Sequence, residues 1–100
     1  MFVRMNNTNR PVLVGTERTS LWFGYLVGEP TRERVELERA RMIAFWPEKD
    51  RLAAGLAAQG PSKEARVTPQ CPRVVLFEVC SVLDVSADAV AKFEEAPWGR

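Results

Sequence analysis

Histidine is absent from this sequence of 100 residues, and cysteine occurs twice. Without histidine the chain lacks the side chain that most often acts as a general base near neutral pH, and it lacks the usual ligand of catalytic zinc sites. Cys71 and Cys80 are nine residues apart in the sequence. On a straight strand they would lie about 30 Å apart, which is too far for a disulfide. We expect a buried free thiol at Cys80, and an exposed thiol at Cys71 remains an open alternative.

An excess of charge of either sign is also missing, because fourteen basic residues stand against thirteen acidic ones and the net charge is +1. DNA, RNA or an acidic membrane would meet no global attractive field, so nucleic acid is a disfavoured partner. No apolar run approaches the ~18 residues of a membrane span, and the polar start of the chain is unlike a signal peptide. We therefore expect a cytoplasmic protein with no membrane partner.

What the sequence does contain is the composition of an ordinary globular domain, with 46% hydrophobic and 27% charged residues. This length supports one hydrophobic core and is too short for two. We expect residues 1–10 to be a flexible lead-in and residues 11–98 to form a single β-rich domain.

Residues 18–46 are the stretch around which we expect the fold to be organised, as two long antiparallel strands. The first strand is apolar on both faces, which predicts a central position in the sheet. Gly24 in its middle indicates a bend, a cross-strand aromatic ring packed on the glycine, or the approach of a ligand to the backbone. The returning strand alternates up to Glu38 and then becomes apolar on both faces, which indicates a bulge near residues 38–40 or a partner chain.

The remaining segments predict short strands and two helices. We expect a short strand at residues 11–15, a helix at residues 48–58 that ends at Gly60, a short strand at residues 65–68, and one long buried strand at residues 73–83. Ser86 is placed to cap a last helix, whose residues Val90 and Phe93 face the core. The predicted fold class is α+β, with a β-rich antiparallel sheet flanked by two short helices.

None of the common sequence signatures of catalysis occurs in this chain. It has no phosphate-binding loop of known spacing, no nucleophile elbow and no cluster of metal ligands. Glu78 is an acid within an apolar strand, and we expect it to pair with an arginine or to face solvent rather than to act as a base. We predict a protein that is not an enzyme and that carries no cofactor and no metal.

Arginines beside aromatic residues are the pattern with the most chemical content. Arginine forks bind phosphates in a bidentate manner and aromatic faces stack on bases, so a nucleotide pocket needs both. The same pattern also occurs where arginine simply stacks on tryptophan at a solvated sheet face. The turn at Ser62 and Lys63 can hold an oxyanion or can be no more than a helix exit. The arginines and aromatic residues concerned are Arg18, Trp22, Arg39, Arg41, Phe45, Trp46 and Arg66.

The order and spacing of four segments resemble a family of small proteins encoded by phages and prophages. These segments are residues 18–26 (RTSLWFGYL), 37–46 (LERARMIAFW), 60–63 (GPSK) and 73–83. The family is similar to the first-described Thoeris anti-defence proteins, which are phage sponges. Met42, where a second arginine is common, and Ala44, where an aromatic residue is common, depart from the family pattern and bear on the identity of the ligand.

The resemblance implies a protein that binds and sequesters a cyclic nucleotide immune signal, either a cyclic ADP-ribose isomer or a cyclic oligonucleotide, without cleaving it. It also implies a homo-oligomer, a dimer or a hexamer, in the cytoplasm of an infected bacterial host. Three arginines would contact phosphates, three aromatic residues would stack on the base or shape the pocket wall, and three further residues complete the set. The predicted ligand-binding residues are Arg18, Arg41, Arg66, Trp22, Phe45, Trp46, Ser20, Ser62 and Lys63.

A different function accounts for the same aromatic residues. In a non-enzymatic phage structural or assembly module, Trp22 and Trp46 would be anchors of a protein interface. Such a module would form an oligomer and would have no affinity for a small molecule.

Overall fold

The structure of the protein is a computed structural model, and it describes residues 9–17, 20–46 and 53–96. Within these ranges the chain is mostly sheet, with six strands and two helices, which is consistent with the predicted α+β class. The elements are β1 (Pro11–Thr16), β2 (Leu21–Leu26), β3 (Arg34–Phe45), α1 (Ala53–Gln59), β4 (Arg66–Val67), β5 (Cys71–Phe77), β6 (Val79–Asp84) and α2 (Ala87–Glu95).

The predicted hairpin, β2 and β3, lies in the middle of one antiparallel sheet. β2 pairs with β1 on one side and with β3 on the other, and β6 pairs with the far edge of β1. The long strand β3 has two further partners, because β5 pairs with its first part and β4 with its end.

A hydrophobic core lies on each face of the sheet, which is why β2 is apolar on both sides. Leu21, Phe23 and Tyr25 of β2 belong to the core beneath the helices, which we call the helix-side core. Leu26 belongs to the opposite core, which we call the strand-side core and which the curled strands enclose. Phe93 of α2 stacks on Phe23 in the helix-side core, with ring centroids 4.6 Å apart.

A β-bulge interrupts the hairpin, and this confirms the bulge predicted near residues 38–40. Phe23 pairs with Arg41 whereas Tyr25 pairs with Glu38, so Gly24 lies opposite two residues of β3. Arg39 adopts φ 50° at this point. A Cβ atom on Gly24 would lie 2.9 Å from the Cβ atom of Leu37. The glycine therefore allows a close cross-strand contact at the bulge, made by an aliphatic side chain and not by an aromatic ring, which was one of the alternatives for Gly24.

The prediction of one long buried strand at residues 73–83 is wrong, because the chain bends sharply at Glu78. Glu78 adopts φ 56° and is exposed. It separates β5, at the β3 edge, from β6, at the β1 edge. The bend also explains a second error, since Cys80 is exposed and Cys71 is half-buried, although both thiols are free as predicted.

Both helices end or begin at the predicted signals. Gly60, at φ 83°, follows α1 and donates its N–H to the Leu56 carbonyl at 2.7 Å. The Ser86 hydroxyl accepts from the Ala89 N–H at 3.1 Å and donates to the Ala58 carbonyl at 2.8 Å, so it caps α2 and ties it to α1. The first part of the predicted helix at residues 48–58, and residues 1–8 of the predicted lead-in, lie outside the described residues. No helix in the described ranges is long and apolar enough to cross a membrane.

Candidate functional site

Five of the predicted ligand-binding residues lie at one end of the sheet, where β3 finishes and β4 runs beside it. Phe45 is directly opposite Arg66 in the register of these two strands. Phe45 is 50% exposed, which is unusual for so large an apolar side chain, and Trp46 is half-buried against the helix-side core. Ser62 and Lys63 form the turn before β4, in which the Ala65 N–H donates to the Ser62 carbonyl at 3.2 Å. We call the five predicted residues at this place the β3–β4 corner: Phe45, Trp46, Ser62, Lys63 and Arg66.

The other predicted aromatic residue, Trp22, is not part of this corner. Trp22 packs against the strand-side core, whereas Trp46 packs against the helix-side core. The two tryptophans therefore lie on opposite faces of the sheet and cannot line one pocket within a single chain. Ser20 is half-buried in the turn after β1, and its hydroxyl lies 2.7 Å from that of Thr16. Arg18 lies outside the described residues.

The structure places Arg41, which the sequence predicts to contact a phosphate, inside the fold. Arg41 is 5% exposed. Its Nε donates to the Thr68 carbonyl at 2.7 Å, and its Nη1 donates to the carbonyls of Phe93 at 2.7 Å and Glu94 at 3.3 Å. These last two carbonyls belong to the final turn of α2, where a cation is favourable. Burial lowers the pKa of the Arg41 guanidinium. Arg41 therefore holds α2 against β3, and a phosphate would have to displace it from these contacts.

A second contact ties the same end of α2 to β2. The Tyr25 hydroxyl donates to the Glu94 carboxylate. The Arg39 guanidinium lies over the face of the Tyr25 ring, with its central carbon 3.8 Å from the ring centroid. Burial, then the hydrogen bond to Glu94 and its negative charge, raise the pKa of Tyr25 to about 12, and the charge of Arg39 acts in the opposite direction. Arg39, like Arg41, is thus engaged with the helix side of the sheet.

Sequence reasoning missed a second combination of arginine and phenylalanine, on the outer face of β3 and β5. Arg34 is opposite Phe77 in the register of these strands, and both Arg34 and Arg73 contact the Glu36 carboxylate. Phe77 is 61% exposed. The prediction of one buried strand from residue 73 to residue 83 hides this combination. The alternation of charged and apolar residues in β3 could have indicated this face.

Two clefts lie near the bend at Glu78 and away from the β3–β4 corner. One cleft, of about 420 Å³, is lined by residues 30–32 and 79–82, including Arg32, Cys80 and Ser81. The other, of about 260 Å³, is lined by Glu17, Arg32, Glu33, Phe77 and Glu78. In the part of the chain that the structure describes, no group of three or more histidine, cysteine or acidic residues is arranged to hold a metal ion.

Comparison with known proteins identifies the family of the chain. It belongs to the family described as a domain of unknown function (DUF6948), whose model matches residues 9–93. No curated protein and no solved structure matches the chain. The family description carries no activity, so a proposal about function has to rest on the resemblance described above and on the geometry of the chain.

Proposed function

We propose that this member of the DUF6948 family is a phage-derived anti-defence sponge, which binds a cyclic nucleotide immune signal and holds it without cleaving it. The proposed ligand is a cyclic ADP-ribose isomer or a cyclic oligonucleotide. The observation that carries the proposal is the exposed ring of Phe45 directly opposite Arg66 at the β3–β4 corner. An aromatic face beside a guanidinium matches the base and the phosphates of such a ligand.

The corner supplies the other groups that this ligand needs. Lys63 is exposed in the turn before β4 and adds a second positive charge. The Trp46 side chain packs on the helix-side core and fixes the end of β3 from which Phe45 projects. Binding without cleavage needs affinity alone, so a site of aromatic and cationic groups is sufficient for it.

The corner is also open, and this favours an oligomer. High affinity for a nucleotide generally requires that most of the ligand surface is buried. Half of the Phe45 side chain remains accessible in the single chain, so we propose that a second copy closes the pocket. Under this proposal Trp22, on the other face of the sheet, is not a stacking residue of the same pocket.

Calorimetric titration of four variants with cyclic ADP-ribose isomers and cyclic oligonucleotides tests the site. Phe45→Ala removes the stacking face and should weaken binding about 5- to 100-fold. Arg66→Gln removes a charged donor and should weaken binding about tenfold. Phe77→Ala and Arg10→Gln are the matched controls, because they make the same chemical changes at other places on the surface.

The controls should change the dissociation constant by less than about twofold. Equal losses in Phe45→Ala and Phe77→Ala would remove the corner from the proposal. A wild-type protein that binds none of the cyclic nucleotides would overturn the sponge function itself.

A further inference from the structure

The outer face of β3 and β5 carries two arginines that share one carboxylate. Val35 and Leu37 of β3 point into the strand-side core, so Arg34 and Glu36, which alternate with them along the strand, project from the opposite face. Glu36 is 8% exposed. Arg34 Nη2 lies 3.5 Å from Glu36 Oε1, and Arg73 Nη2 contacts Glu36 Oε2.

This arrangement places one guanidinium group on each oxygen of the Glu36 carboxylate, and these contacts do not use all of the N–H donors. Each guanidinium has five N–H groups in a planar fork, and the contacts above engage one nitrogen of each. Both arginine side chains are more than half exposed. Because Glu36 already fixes their positions, an oxyanion that bridges them would cost less side-chain entropy than one bound by two free arginines.

Phe77 adds an exposed aromatic ring opposite Arg34. It is opposite Arg34 in the register, and its side chain is the most exposed large apolar one among the described residues. In the described part of the chain its ring stacks on no other ring and on no cation. The ring also lines the cleft of about 260 Å³, which is enough room for a planar group to lie against it.

We propose that Arg34, Arg73 and Phe77 form a binding site for a phosphate monoester that is carried by a planar ring. The terminal phosphate bridges the two guanidinium forks, and the ring stacks on Phe77. A monoester fits better than a diester, since it offers three free oxygens to the N–H groups of the two forks that Glu36 leaves unused. A nucleoside monophosphate and a phosphorylated aromatic ring share this chemistry.

This site is independent of the cyclic-nucleotide site at the β3–β4 corner. Its residues lie on β3 and β5, and none of them belongs to the corner. A cyclic dinucleotide or cyclic ADP-ribose has no terminal phosphate, so the two sites select different ligands. The failure of one proposal therefore leaves the other standing.

Titrations of the ¹⁵N-labelled protein at low ionic strength test the site, with inorganic phosphate, adenosine 5′-monophosphate, phenyl phosphate and adenosine as probes. The Nε–H signals of Arg34 and Arg73 should shift in a saturable manner with each phosphate. Adenosine 5′-monophosphate should bind about tenfold more tightly than inorganic phosphate, because one stacked base contributes about that factor. Adenosine should not shift these arginine signals. The comparison with phenyl phosphate shows whether the nucleoside or the simple ring is the better ligand.

Variants distinguish binding at this site from a general attraction of phosphate to a positively charged surface. Phe77→Ala should abolish the preference for adenosine 5′-monophosphate over phosphate, whereas Phe45→Ala should retain it. Arg73→Gln should weaken both ligands about tenfold. Arg10→Gln, which lowers the net charge equally at another surface, should weaken them less than about twofold.

Three results would overturn the proposal. The first is the absence of a saturable shift of Arg34 and Arg73 up to ~10 mM adenosine 5′-monophosphate, where even weak sites are occupied. The second is an equal loss of affinity in Arg10→Gln and Arg73→Gln. The third is an undiminished preference in Phe77→Ala, which changes an exposed side chain and should fold normally.

Discussion

Replacing Arg41 with methionine should destabilise the fold, because the guanidinium is the donor for three backbone carbonyls from two separate segments. Methionine keeps much of the length of the side chain and removes all of its N–H groups. The two bonds at 2.7 Å, to Thr68 and Phe93, are each worth about 1.5–3 kcal/mol as bonds from a charged donor. The methionine variant does not have to bury a charged group on folding, and this gain offsets part of the sum. We expect a net loss of about 3 kcal/mol in the free energy of unfolding.

Urea denaturation followed by tryptophan fluorescence measures this loss. With a slope of about 1–1.5 kcal/mol per molar urea for a domain of this size, the midpoint should fall by about 2–3 M. Arg41→Lys keeps the positive charge but has a single side-chain nitrogen. Its free energy of unfolding should therefore lie between those of the wild type and of Arg41→Met.

Arg39→Met is the matched control for this experiment. Arg39 lies over the Tyr25 ring, and the loss of that contact should cost about 0.5–1 kcal/mol. The reasoning is refuted if Arg41→Met is as stable as the wild type, or no less stable than Arg39→Met. In that case Arg41 would again be available for a phosphate.

Three further predictions concern the hairpin and α2. Gly24→Ala places a Cβ atom 2.9 Å from that of Leu37 and should lower the free energy of unfolding by about 1–3 kcal/mol, measured by urea denaturation. Tyr25 is the one tyrosine of the chain, so absorbance of tyrosinate near ~295 nm reports it alone. It should titrate near pH 12 in the folded protein, and at a lower pH in Glu94→Gln. Since this pKa is raised above that of the unfolded chain, the associated stability is complete below pH ~10 and is lost as the pH rises towards the folded value. Ser86→Ala removes the cap of α2 and should lower the thermal midpoint by an amount equivalent to about 1 kcal/mol, measured by circular dichroism.

The parts of the fold that could be predicted are those that depend on neighbouring residues. The dense run of aromatic and other apolar residues indicated β2, alternation indicated the first part of β3, and the failure of alternation after Glu38 indicated the bulge. Ser86 and Gly60 indicated the ends of the helices, because capping is a local interaction.

The bend at Glu78 could not be predicted in the same way. The residues around it are apolar on both sides, and no glycine or asparagine signals the positive φ. The chain crosses there from the strand that pairs with β3 to the strand that pairs with β1. The position of this bend depends on the whole sheet and not on the local segment. The prediction of one straight buried strand also hid the exposure of Phe77 and Cys80.

The role of Arg41 was hidden for a similar reason. Its position beside aromatic residues matched a phosphate site, and the alternation of β3 fails before Arg41, so the pattern gave no sign that the side chain is buried. Its partners at Phe93 and Glu94 are more than fifty residues away in the sequence. By contrast, Phe45 and Arg66 were predicted together and do lie together, since β4 runs directly beside the end of β3.

Native mass spectrometry of the wild-type protein, before and after incubation with cyclic ADP-ribose isomers and cyclic oligonucleotides, tests the proposed function most directly. We expect an oligomer that gains the mass of a cyclic nucleotide and releases the same mass, chemically unchanged, when it is denatured. An oligomer that gains no ligand mass would contradict the sponge function and would favour an assembly module. Release of a hydrolysed ligand would contradict binding without cleavage.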